Sequence, residues 1–158
     1  MEDVIIVGAG PAGNNAALLL TQSGYKVTVI DYRHDIGNKP CTGIVGKECA
    51  SKFPIPPEYI YRESYTATFI APNGSQLNID TGKTQAYIID RANYVAHFAH
   101  KAQAAGASYK LGKRVLNISI LEDQVQVSTD SENYTCRSVI LASGFGSSLV
   151  SNLGLGKV

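Results

Sequence analysis

Little in this sequence is extreme, and each shortage removes a class of protein from consideration. Its three cysteines, Cys41, Cys49 and Cys136, are odd in number and lack C-x-x-C spacing, which argues against a disulfide framework and a zinc site. Charged residues make up only 17% of the chain and the formal net charge is +1, so there is no basic stripe for nucleic acid. No apolar run is long enough to span a bilayer, because the stretch from Val4 to Leu20 is broken by glycines, Pro11 and two asparagines. Met1-Glu2-Asp3 is acidic and leads straight into a strand, unlike a secretory signal. Without a secretory route the sequons at Asn73, Asn117 and Asn133 carry no meaning, and the expected setting is reducing and cytoplasmic. No repeat, low-complexity tract or linker is visible. At 158 residues the chain is long enough for one domain with a real core.

What is present is concentrated at the N-terminus. Val4-Ile5-Ile6-Val7 is a short apolar run suited to a fully buried parallel strand, and it empties into Gly8-Ala9-Gly10-Pro11-Ala12-Gly13. A helix follows through Ala16 to Leu20 and stops at Gly24. Lys26 to Ile30 is the second strand, closed by Asp31 at about the 20-residue separation of a dinucleotide-binding fingerprint. Gly8 permits the tight turn, Gly10 lets backbone approach a pyrophosphate, and Gly13 with Ala17 lets helix press on sheet. The helix start offers free N–H groups and positive dipole to phosphates. Asp31 can accept hydrogen bonds from ribose hydroxyls, and its charge disfavours a 2′-phosphate, which points to FAD or NAD and away from NADP.

The middle of the chain departs from a plain dehydrogenase. An irregular stretch runs from Asp35 to Ile44, followed by a short helix around Lys47 to Phe53 that the prolines 54, 56 and 57 end. Two alternating runs, Ser64 to Ala71 and Ser75 to Asp80, flank Pro72-Asn73-Gly74 and predict a hairpin. Ala86 to Ile89 reads as a strand, and Asp90 caps a helix that reaches about Ala105 before Gly106. Ser108 to Leu111 reads as a third parallel strand. A meander of Val115 to Leu121, Gln124 to Thr129 and a short strand near Tyr134 precedes a final strand, Ser138 to Leu141, and the turn Ala142-Ser143-Gly144. Two other patterns fail. His97 and His100 share a helix without a third ligand, and Thr81 to Thr84 lacks the leading glycine of a phosphate loop, having Leu77 in its place.

Four segments resemble the N-terminal part of the FAD-dependent oxidoreductases that include p-hydroxybenzoate hydroxylase and the geranylgeranyl reductases, with the closer match to the geranylgeranyl reductase family. They are Val7 to Gly13 with Asp31-Tyr32-Arg33; Ile36-Gly37 through Pro40-Cys41-Thr42-Gly43-Ile44; Ile89-Asp90-Arg91 with Ala105-Gly106-Ala107; and Ile140 to Ser147. The resemblance implies an α/β fold: a Rossmann-like FAD-binding domain with a parallel sheet, an inserted β-hairpin and a β-meander, residues 1–158 forming a single FAD/NAD(P)-binding domain. Family members are much longer, so it also implies a chain lacking the C-terminal part that contacts the flavin and covers substrate.

Residue by residue, the resemblance implies that Gly8, Gly10, Pro11, Ala12 and Gly13 hold the FAD pyrophosphate and that Asp31 binds the adenosine ribose. Tyr32 and Arg33 would lie beside the adenine or its phosphate, Arg91 would reach the phosphates, and the Val115 backbone would contact adenine. Cys41 and Gly43 would lie near the isoalloxazine ring or the substrate path. Ala142, Ser143 and Gly144 form the second glycine turn, where many family members carry an aspartate in place of Ser143. Read without the resemblance, Arg33 and Arg91 are equally solvated surface residues and Cys41 an inert loop residue.

The implied reaction is reduction of a carbon–carbon double bond in an isoprenoid lipid by flavin hydride, with NAD(P)H or ferredoxin as reductant and no catalytic residue assignable. Peripheral membrane association is compatible with it. The alternatives are an FAD-dependent monooxygenase or halogenase of the same superfamily and a non-catalytic nucleotide-binding module.

Overall fold

A computed structural model of the chain describes residues 1–156. Lys157 and Val158, at the end of the expected single domain, lie outside the described residues. The chain divides into two compact units, Met1–Asn38 with the chain from Val95 onward, and Lys39–Tyr94.

The first unit is built on a six-stranded sheet. Its strands are β1 (Glu2–Val7), β2 (Val27–Asp31), β8 (Ser108–Leu111), β9 (Val115–Ile120), β10 (Val125–Thr129) and β11 (Asn133–Leu141), in the order β8-β2-β1-β11-β10-β9. β8, β2, β1 and β11 run parallel, whereas β10 and β9 continue the sheet antiparallel. β1 and β2 are apolar because both their faces are covered. On one face Val4, Ile6, Val27 and Val29 pack with Ala17 and Leu18 of helix α1 (Pro11–Gln22) and with Ala102 of helix α3 (Arg91–Ala104). On the other, Ile5, Val7 and Ile30 pack with Ile118, Val127, Cys136 and Leu149, the last from helix α4 (Ser148–Asn152). Ile5, Ile6, Val29 and Ile30 are fully buried. Each such side chain contributes about 1.5–3 kcal/mol relative to exposure.

α1 starts at Pro11, whose missing N–H and fixed φ suit the first helical position. It ends in a turn through Gly24, at φ +86°.

The second unit holds a three-stranded antiparallel sheet in the order β3 (Ile44–Gly46), β7 (Ala86–Ile89), β4 (Ile60–Ser64), beside helix α2 (Lys47–Lys52). A separate hairpin pairs β5 (Thr66–Ile70) with β6 (Gln76–Asp80). Its turn is closed by Gly74 N–H donating to Ala71 carbonyl at 2.9 Å, with Gly74 at φ +84°. Among the described residues no non-glycine residue has positive φ, so Pro72 and Asn73 are the turn's centre and Gly74 its left-handed bulge. Asp90 caps α3 as expected, accepting the Asn93 backbone N–H at 3.1 Å.

The α/β architecture with parallel sheet, hairpin and meander is therefore present, with two differences in detail. The short strand near Tyr134 and the strand from Ser138 are one nine-residue strand, β11, since Thr135, Cys136 and Arg137 contain no turn former. β3 and β4 were not expected. β3 is too short to show a period, and β4 is masked by the prolines before it and the charges within it.

Candidate functional site

At the C-terminal edge of β1 the chain crowds three turns together within the first unit. A Cβ on Gly8 would lie 2.3 Å from the Ala142 carbonyl oxygen, and Gly8 sits at φ +114°. A Cβ on Gly13 would lie 1.9 Å from the Gly8 oxygen and 3.3 Å from the Ala142 Cβ. The Ala142 N–H donates to the Val7 carbonyl at 2.9 Å, so the second glycine turn is locked against the first. Gly8 and Gly13 are thus glycine because protein atoms leave no room.

Gly10 is different: a Cβ there would meet nothing within 4 Å, and its φ of −81° is open to any residue. Nothing in the protein requires glycine at this position. The free space lies at the N-cap of α1, where no side chain caps the helix and the first turn carries no acid. The N–H groups of Ala12 and Gly13 have no intrahelical acceptor there, and the dipole is positive. This is a cradle that fits a pyrophosphate.

The neighbouring loop after β2 is held tightly. Asp31 is buried, 7% exposed; its Oδ2 accepts the Ala9 N–H at 2.7 Å, and its Oδ1 accepts the Arg33 N–H at 2.8 Å. The Arg33 guanidinium lies 3.8 Å from the same Oδ1. Each carboxylate oxygen retains accepting capacity for a further donor. The guanidiniums of Arg33 and Arg114 sit 4.3 and 4.5 Å from the centre of the Tyr32 ring. Gly112 N–H donates to Arg33 carbonyl at 2.9 Å, and Lys113 N–H to Asp31 carbonyl at 3.0 Å, which brings the turn between β8 and β9 to this end of the sheet.

In the second unit, Gly43 is glycine for packing, since a Cβ at its φ of +69° would meet the Ile89 oxygen at 2.8 Å. Arg91 Nη1 donates to the Lys39 carbonyl at 2.7 Å and ties down the strand of chain that leads to Cys41. The exposed Cys41 thiol is drawn below its ordinary pKa by the Gly43 backbone N–H and, less strongly, by the Arg91 charge.

The structure therefore brings Gly8, Gly10, Pro11, Ala12, Gly13, Asp31, Tyr32, Arg33, Ala142, Ser143 and Gly144 to one end of the parallel strands, leaves Val115 in β9 paired with Thr129, and groups Cys41, Gly43 and Arg91 in the other unit. Sequence reasoning missed Asn14 and Arg114. Asn14 is fully buried and hydrogen-bonded to Ala9, Val95 and Tyr109. Helical spacing puts it on the face of Gly13, Ala17 and Leu18, a signal that was available. Arg114 is found only through the pairing of β8 with β2. Among the described residues no group of three or more His, Cys, Asp or Glu side chains is placed to hold a metal, and no helix is long and apolar enough to cross a membrane.

This edge geometry, a glycine cradle on a helix N-terminus with an acid closing the next strand, defines a domain of the dinucleotide-binding class. The chain matches the family described as pyridine nucleotide-disulphide oxidoreductase over residues 2–156, and it belongs to that family. A digeranylgeranylglycerophospholipid reductase of Methanococcus vannielii is 28% identical over 97% of this chain and 40% of its own. A geranylgeranyl bacteriochlorophyll reductase-like structure from Thermoplasma acidophilum superposes with a TM-score of 0.81 at 25% identity, over 97% of this chain and 42% of that one. A halogenase structure shares the fold, with a TM-score of 0.75 at 21% identity over 97% of this chain and 37% of that one. The chain spans about two fifths of the length of the curated relatives it matches.

Proposed function

We propose that this chain is the FAD-binding portion of a geranylgeranyl reductase-like flavoenzyme that reduces carbon–carbon double bonds of an isoprenoid lipid. The observation that carries the reading is the open face of Gly10, where a Cβ would meet no protein atom, against the start of α1 beside the crowded Gly8 and Gly13. The reductase names of the Methanococcus and Thermoplasma relatives support the substrate class.

Bound FAD, once reduced by the reductant, would supply the hydride for such a reduction. The residues of this chain bind and orient. Gly10, Ala12 and Gly13 offer backbone N–H groups to the pyrophosphate, Pro11 presets the turn, and Gly8 keeps the turn closed. Asp31 uses its remaining lone pairs on ribose hydroxyls, while Tyr32, Arg33 and the Val115 backbone border the adenine. Ala142, Ser143 and Gly144 wall the cradle. Cys41, Gly43 and Arg91 are assigned to the flavin side on the sequence resemblance alone, and no residue is assigned as proton donor. Residues 1–158 serve as one FAD-binding domain in a cytoplasmic protein with peripheral access to lipid, reduced by NAD(P)H or a ferredoxin.

The test is the visible spectrum of the purified chain after FAD addition and desalting. Flavin bands that survive support the proposal. A protein that binds neither FAD nor ADP overturns it. Oxygen consumption with NAD(P)H, in place of anaerobic alkene reduction, moves the protein to the monooxygenase or halogenase branch.

A further inference from the structure

Ala9 is gripped from both sides. Its N–H is held by Asp31, and its carbonyl oxygen accepts a hydrogen bond from Asn14 Nδ2 at 3.1 Å. Asn14 has 0% exposure, which is unusual for a polar residue on a helix, and its whole carboxamide is used. Nδ2 also donates to the Val95 carbonyl at 3.2 Å, and Oδ1 accepts the Tyr109 O–H at 3.1 Å. With two carbonyls on one end and a hydroxyl donor on the other, the amide has a single orientation. Burial pushes the Tyr109 phenol up, so it remains a donor throughout the neutral range.

The Ala9 carbonyl belongs to the same planar trans peptide as the Gly10 N–H, and the two point in opposite directions. Holding the carbonyl towards Asn14 therefore aims the Gly10 N–H away from the α1 core. Among the described residues that N–H has no hydrogen-bond partner, and the Gly10 Cα faces open space.

We propose that Asn14 is a positioning residue, which by fixing the Ala9–Gly10 peptide presents the Gly10 N–H to the pyrophosphate of the bound dinucleotide. The inference rests on the dinucleotide reading above and deepens it. Asn14 touches no ligand itself; it couples the phosphate-facing turn to α3 through Val95 and to β8 through Tyr109. A leucine, with the same branching and number of side-chain heavy atoms, would occupy the site without hydrogen bonds and leave the peptide free to rotate.

Wild-type protein, Asn14→Leu and Tyr109→Phe are titrated calorimetrically with FAD, ADP and adenosine. If the wild type binds none of the three, the dinucleotide reading itself has failed. If it binds, Asn14→Leu is expected to weaken FAD and ADP about tenfold while leaving adenosine unchanged. A residue that only holds the fold would move all three ligands together, or none, and either result overturns the proposal. Should Asn14→Leu not fold, Tyr109→Phe decides: an ADP loss of about threefold with adenosine unchanged supports it, and equal changes refute it.

Discussion

The buried carboxylate of Asp31 accepts the backbone N–H of Ala9 at 2.7 Å, so the acid that closes β2 is also a strut of the turn that follows β1. Asp31 therefore holds the turn together, apart from the ribose contact proposed for it. Asp31→Ala leaves the buried Ala9 N–H unsatisfied and removes a hydrogen bond to a charged group, a loss of about 1.5–3 kcal/mol. Urea unfolding should show it as a lower midpoint with an unchanged slope, together with weaker FAD binding.

Gly10 and Gly13 should separate cleanly. Gly13→Ala forces a methyl onto the Gly8 carbonyl and should cost on the order of 1–3 kcal/mol or prevent folding. Gly10→Ala meets no protein atom, so its stability should stay within about 0.5 kcal/mol of wild type. Its affinity for FAD should nevertheless fall about tenfold or more, as read by calorimetry.

Asp90 is held below the ordinary carboxylate range, first by the Asn93 backbone N–H, then by the Asn93 side chain and the Tyr61 hydroxyl. Because its folded pKa is depressed, the stability it contributes is complete above the unfolded value. That stability fades as pH falls below it through the folded value. Wild type and Asp90→Asn, which keeps a neutral cap, should converge in urea midpoint as the pH drops below about 4.

Cys41 should alkylate with iodoacetamide at lower pH than Cys136. The Gly43 N–H and Arg91 draw the Cys41 thiol down, whereas burial pushes the Cys136 thiol up. Arg91→Gln should move the Cys41 profile to higher pH. Mass spectrometry of the labelled peptides across a pH series reads both shifts.

The parallel half of the sheet was legible because β1 and β2 are covered on both faces and so read as continuous apolar runs. The cradle was legible because Gly8, Gly10 and Gly13 lie within one local motif. What distinguishes them was not: that Gly8 answers to Ala142, far away in sequence, Gly13 to the Gly8 carbonyl, and Gly10 to nothing, depends on how the turns pack. Arg114 was hidden for the same reason, since it reaches Tyr32 only once β8 lies beside β2. The continuity of β11 was missed because its two halves serve different neighbours, and a pattern of burial that changes along a strand resembles two strands.

That shared strand ties the order of folding to the order of synthesis. β11 lies between β1 and β10, pairing Glu2 with Cys136 and Val7 with Leu141. β1 thus waits for a strand synthesised much later to cover this side of it. Until then its edge is open and its apolar side chains lack one neighbour. Contacts this distant in sequence close slowly, so the nascent chain carries an exposed β edge from the synthesis of β1 until β11 has emerged. Anything that binds such edges has its opportunity in that interval, before Leu141 arrives.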